Sequence, residues 1–251
     1  MNKFDKRLPR GLALGGTIVY PTFRYLERGS TASVLAADRY GTDLAVAGSG
    51  SAITVGNGGG FVYPAHKSLK FNDGKYFKDS GTSFADVTTQ DIIIELISKT
   101  NATGGQQFII CKRHMGTGTG YQVYQEVNQR LIFFCADAAS AHTNYVETAA
   151  TSSGSWYHSM YMFNRDENST NGMTCWLNGV RGSSANGFTI GSMTVAKSLT
   201  IGADTDGNTP SDNNISLCSM WIGANIIPSG ADGVDQLERL AKQRTQLIRG
   251  L

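Results

Sequence analysis

From about residue 34 onward, the apolar positions of this chain come in short runs separated by glycine- and asparagine-rich breaks. That is the pattern of strands joined by turns. DIIIELIS (91–98) is an almost unbroken apolar run. QQFIICKR and GYQVYQEV flank residues 114–120, where Gly116, Gly118 and Gly120 make a flexible connection. QRLIFFCADA, TNYVETA, SWYHSMYMFNR, SLTIGA and ISLCSMWIG read as further strands. Two places carry a hairpin signal: Asn72-Asp73-Gly74 within SLKFNDGKYFKD, and Asn178-Gly179 within MTCWLNGVRG. The second pair suits a type I′ turn, because both residues tolerate positive φ. Strands at roughly 10–15-residue spacing, with no helices between them, predict an all-β fold of two antiparallel sheets.

One helix is predicted, over 231–248. Ser229 to Asp232 fits a capping pattern, and Val234, Leu237, Leu240, Ala241, Leu247 and Ile248 then fall on one face. Asp232, Asp235 and Glu238 come early while Arg239, Lys242 and Arg244 come late, which complements the helix dipole. Such a helix is expected to pack against the sandwich edge. Residues 1–33 have poor periodicity, broken by Pro9 and Pro21. There Lys3, Lys6, Arg7, Arg10, Arg24 and Arg28 stand against Asp5 and Glu27, so six minus two gives +4. This segment reads as an extended basic arm ahead of a domain at 34–251, with Lys3, Lys6, Arg7 and Arg10 as its assembly residues. No small-residue cleavage site follows the opening stretch, so no signal peptide is expected.

Composition narrows the classes. With 22 basic and 20 acidic residues, the chain's formal net charge is +2, which argues against a dedicated nucleic-acid binder. No run of ~18 apolar residues is present, so no membrane-spanning helix is expected. Glycine, 30 of 251 residues, exceeds the usual ~7% and gathers at 48–60, at 116–120 and in hairpin tips. Cys111, Cys135, Cys175 and Cys218 lie inside apolar runs, 24, 40 and 43 residues apart. Those spacings match no zinc or redox motif; the thiols read as buried small apolar groups, with two disulfides as the alternative where their strands are neighbours.

The quoted segments, taken in order, resemble a laminin-G-like domain of the concanavalin-A-like lectin and glucanase superfamily. SLKFNDGKYF (68–77) resembles its opening strand pair, and DIIIELISKT (91–100) its first long sandwich strand. The stretch from FIICKR to QRLIFF, then SWYHSMYMFNR (155–165), and finally CWLNGVRGS with SLTIGA, follow the family's later parts. The resemblance spans roughly 34–251 and implies a two-sheet jelly roll. Its members bind glycans or proteins, and some are modules of virion and adhesion proteins.

Candidate chemistry is sparse. A retaining glycosidase needs carboxylates ~5–5.5 Å apart. Asp91 and Glu95 share a strand face, but four residues of strand separate them by about 13 Å. Asp204, Asp206 and Asn208, with Asp212 close behind, offer hard oxygen ligands that suit calcium, the one cofactor the chain suggests. The loop is not an EF-hand, since Thr209 and Ile215 stand where Gly and Glu are required, and a polar turn is the competing reading. His66, His114, His142 and His158 are widely spaced; His158 alternates with Trp156 onto one sheet face, and its match to the laminin-G-like pattern implies a packing role. No G-x-S-x-G motif or catalytic triad can be named. Tyr121, Tyr124, Tyr145 and Trp221 could stack on a sugar, and alternation alone does not choose among them.

These features predict a non-enzymatic virion component of bacteriophage decoration, fibre or baseplate type, displaying a lectin-like jelly roll for attachment. The arm would anchor it to copies of itself and to other virion proteins, and a cell-surface glycan would be its target. A soluble, extracellular or cell-surface lectin is the alternative, and a glycoside hydrolase the third reading.

Overall fold

A computed structural model describes residues 17–19, 34–35, 44–49, 53–57, 67–71, 74–79, 81–83, 85–101, 104–138, 141–209 and 211–249. In chain order the first six strands are β1 (Thr17–Val19), β2 (Val34–Leu35), β3 (Leu44–Ala47), β4 (Thr54–Asn57), β5 (Lys67–Lys70) and β6 (Tyr76–Asp79). The long strands follow as β7 (Asp91–Thr100), β8 (Gln107–Arg113), β9 (Gly120–Gln125), β10 (Arg130–Ala136) and β11 (Thr143–Ala150). Next come β12 (Tyr157–Phe163), β13 (Met173–Leu177), β14 (Val180–Ala185), β15 (Thr200–Ile201) and β16 (Asn213–Gly223). A single helix, α1 (Ala231–Arg249), closes the described chain.

The strands form two antiparallel sheets. One runs β14-β13-β12-β7-β16-β5-β4, with β1 added beside the far end of β16; the other runs β11-β10-β9-β8-β15-β6-β3-β2. Between them lies the main core, in which Ile92, Ile94, Leu96, Tyr161, Phe163 and Met220 of the first sheet meet Tyr121, Val123, Leu131, Phe133 and Val146 of the second. This is the two-sheet antiparallel sandwich that the strand pattern predicts, of the jelly-roll type that the resemblance implies. All four cysteines are free and buried, and burial pushes the Cys111 and Cys175 thiols up to about 12.

The two hairpin signals have opposite outcomes. Asn178 and Gly179 have φ of 52° and 78° and join β13 to β14 as a tight hairpin. Around Asn72-Asp73-Gly74, by contrast, the expected pairing does not occur: β5 bonds to β4 and β16, whereas β6 bonds to β3 and β15 of the other sheet. The chain here crosses the sandwich. Phe71 and Phe77 enter the core from opposite sheets and meet edge to face, ring centroids 5.8 Å apart. Gly74 remains necessary, since at φ +99° a Cβ would lie 2.1 Å from the Ser49 carbonyl oxygen.

Helix α1 matches its predicted span but not its predicted place. It lies on the outer face of the first sheet rather than at an edge. Val234, Leu237, Leu240 and Ala241 form a second buried cluster there with Ile93, Met160, Met162, Trp176 and Trp221. The alternation of β12 serves both layers: Tyr161 and Phe163 point into the sandwich, Met160 and Met162 under the helix. The same double burial explains the apolar run of β7, which has no solvent face. Of residues 1–33, the strand Thr17–Val19 pairs with Met220–Ile222; Lys3, Lys6, Arg7 and Arg10 lie outside the described residues.

Leu237, fully buried on the sheet-facing side of α1, is the direct probe of this second layer. Leu237→Ala is expected to cost about 2–5 kcal/mol by leaving a cavity between helix and sheet. Urea unfolding followed by tryptophan fluorescence would measure that loss through Trp176 and Trp221.

Candidate functional site

Strand alternation sorts the possible sites. On β7 the residues facing α1 include Asp91 and Glu95, so both carboxylates end up on the covered side of the sheet. Asp91 accepts backbone N–H bonds from Arg165 (2.8 Å) and Ile227 (3.2 Å), acting as a clip at the strand's start. Glu95 is held by Arg244 of α1, whose Nε reaches Oε1 and whose Nη2 reaches Oε2 at 2.5 Å. His158 Nε2 stands 2.9 Å from the same Oε1, and its Nδ1 stands 2.8 Å from the Thr245 hydroxyl. This cluster fastens the helix to the sheet, giving His158 the packing role that the resemblance implies. No substrate can reach either carboxylate, so Asp91 and Glu95 do not form a hydrolytic pair.

Burial alone would raise the Glu95 carboxyl, but the Arg244 guanidinium and the His158 contact reverse that and hold it at about 2. The unfolded carboxyl titrates near 4.5, so between these values the unfolded chain binds the extra proton. The stability Glu95 supplies is therefore complete above about pH 4.5 and is lost as pH falls toward 2. Glu95→Gln is expected to cost about 3–5 kcal/mol at pH 7, because it leaves Arg244 buried without its counter-charge. It should also flatten the acid limb of stability between pH 5 and 2.5, as measured by urea midpoints.

The second sheet has a different exterior. Its register sets Cys111 opposite Gln122, Gln122 opposite Phe134, and Phe134 opposite Tyr145, making one row across β8, β9, β10 and β11. A neighbouring row runs Phe108, Tyr124, Ile132 and Glu147. Phe108 and Tyr124 pack with ring centroids 5.8 Å apart, and Ile132, Met115 and Phe134 complete an apolar patch. Tyr145 is 53% exposed at one end of its row. Arg113 lays its guanidinium 4.2 Å above the Phe134 ring. The Arg130–Glu147 ion pair lies at the rim. Burial, and then the Glu126 charge, pushes the Tyr124 phenol up to about 12, so it stays neutral.

The four aromatics named from sequence are thereby separated. Tyr124 and Tyr145 share this outer face. Tyr121 is in the sandwich core with its hydroxyl donating to the Ala85 carbonyl at 2.8 Å, and Trp221 lies under α1. Arg113, Gln122 and Phe134 went unnoticed in the sequence. A β-bulge between Phe108 and Ile110 shifts the phase of β8, and simple alternation misplaces Phe108 relative to Arg113.

The acidic loop borders this face. One oxygen of the buried Asp204 accepts the N–H groups of Asp206 (3.0 Å) and Asn208 (2.9 Å), and Asp206 pairs with Lys197. Gly207 covers Tyr76, and the Thr205 hydroxyl donates to the Arg113 carbonyl. Asp212 belongs to another group, accepting from Asn101 Nδ2 at 3.1 Å. Among the described residues, no three His, Cys, Asp or Glu side chains gather to hold a metal ion. His114 caps the turn after β8, His142 pairs with Asp137 at 2.7 Å, and His66 lies outside the described residues.

No family model matches the chain, and no curated protein matches its sequence. Solved structures of similar fold include the binding domain of Paraclostridial mosquitocidal protein 1, with TM-score 0.59 and 11% identity over 83% of this chain and 48% of that one. The ligand-binding domain of botulinum neurotoxin serotype D, solved with N-acetylneuraminic acid, gives TM-score 0.55 and 10% identity over 86% and 51%. The binding domain of botulinum neurotoxin serotype G gives 0.51 and 13% over 82% and 49%. The chain shares the β-sandwich fold of these domains, and it spans about half the length of these solved chains.

Proposed function

We propose that this chain is a non-enzymatic attachment module that binds carbohydrate on the outer face of its second sheet. The observation that carries this reading is the row Gln122–Phe134–Tyr145, which sets a buried amide, a half-buried ring and an exposed ring side by side. Aromatic faces bury the apolar side of a sugar, while amide and phenol groups meet its hydroxyls. On the first sheet α1 covers the outer face of β12, β13 and the adjoining part of β7 and β16. Similar folds among toxin binding domains, one of them solved with a sugar acid, support the reading.

A virion, of bacteriophage type, is the carrier we propose. Its support is the +4 composition of residues 1–33, suited to holding neighbouring copies and other virion proteins while the sandwich faces outward. Particle association would be checked by mass spectrometry of purified virions; a protein found only free in solution would make it a soluble lectin instead.

The binding test is a glycan array followed by titration of the best oligosaccharide. Tyr145→Ala is expected to weaken binding at least tenfold, or ~1.4 kcal/mol, with the melting temperature unchanged. Absence of binding to every glycan, or full affinity in Tyr145→Ala, would sink the carbohydrate reading.

A further inference from the structure

Building on that carbohydrate reading, we infer that the ligand is an acidic sugar, whose anionic substituent docks on Arg113. Arg113 is placed to do this by its neighbours. Its Nε donates to the Gly118 carbonyl at 2.9 Å, which fixes the plane of the guanidinium and leaves the two terminal nitrogens as a fork. The residue opposite it on β9 is Gly120, and the residue beyond on β10 is Ala136. With no side chain at Gly120, the arginine can lie across β9 and rest on Phe134 of β10. That position is directly beside Tyr145 of β11, the exposed ring in register with Phe134. Guanidinium, half-buried ring and exposed ring are thus contiguous, on the scale of one pyranose and its substituent.

Among the described residues, the charge of Arg113 meets no opposite charge. Its terminal nitrogens meet no hydrogen-bond partner, and no carboxylate pairs with it among the described residues. Arg130 on the same face differs, being paired with Glu147. The Cys111 thiol and the Tyr124 phenol interact with Arg113, each pushed by burial to about 12 and hence uncharged at neutral pH. A half-buried, oriented and uncompensated guanidinium favours an incoming anion more than a solvated one does. A carboxylate matches the planar fork, and a sulfate ester offers the same charge with other geometry.

The experiment compares carboxylated, sulfated and neutral forms of the same oligosaccharide, titrated against the full chain and its variants. One acidic form is expected to bind at least tenfold more tightly than the neutral form, and the preferred acid identifies the anion. Arg113→Gln should erase that preference, bringing the affinity for the acidic form down to that for the neutral one, whereas Tyr145→Ala should weaken acidic and neutral forms together and keep their ratio. Arg113→Lys, keeping charge without the fork, should retain only part of the preference. An unchanged acid-to-neutral ratio in Arg113→Gln, or preference for the neutral form, would overturn the assignment and leave carbohydrate binding intact. No binding to any form would overturn both.

Discussion

Glu95 bears a charge in the middle of a strand that has no solvent face, and the arrangement of the first sheet turns on how that charge is met. Its partner comes from 149 residues away, on a helix formed after every strand has been laid down. Arg244 and His158 satisfy both carboxylate oxygens, which makes burial of the neighbouring Ile93, Met160, Trp176 and Trp221 beneath α1 possible. A buried pair of this kind is weak evidence of net stabilisation but strong evidence of position, since either member alone would be costly. The helix is therefore tied to one place on one sheet.

That attachment gives the sandwich an inside and an outside. With α1 seated over the centre of the first sheet's outer face, the second sheet presents a different exterior. Its rows combine rings with an amide, a guanidinium and a rim ion pair, the mixture of apolar area and few polar groups seen in small-ligand sites. The acidic loop at 204–208 contributes as a wall: Asp204 holds its own backbone turn, and Thr205 ties that turn to the end of β8 beside Arg113. Of the carboxylates singled out from sequence, Asp204 thus holds its own turn and Glu95 fastens the helix.

The contrast between the two glycine turns shows where local reading succeeds and stops. Asn178-Gly179 and Asn72-Asp73-Gly74 are equally good hairpin signals, yet one joins paired strands and the other spans the two sheets. Turn chemistry states that the chain can reverse. It does not state whether the strands on either side find each other or more distant partners, and β5 and β6 each find two elsewhere. The bulge at Phe108–Ile110 has a similar effect, for a single extra residue exchanges the faces of everything before it.

Periodicity, turn residues and caps were enough to determine the fold class, most strand positions and the span of the helix, because each depends on neighbours a few residues apart. The thiols' burial was legible for the same reason, each being embedded in its own apolar run. Sheet membership, the face covered by α1, and the separation of Tyr124 and Tyr145 from Tyr121 and Trp221 were decided by the tertiary structure. Those outcomes depend on contacts between residues far apart in the chain, such as Glu95 with Arg244 and Arg113 with Phe134. No local pattern encodes which distant side chain will supply the missing charge or the missing ring.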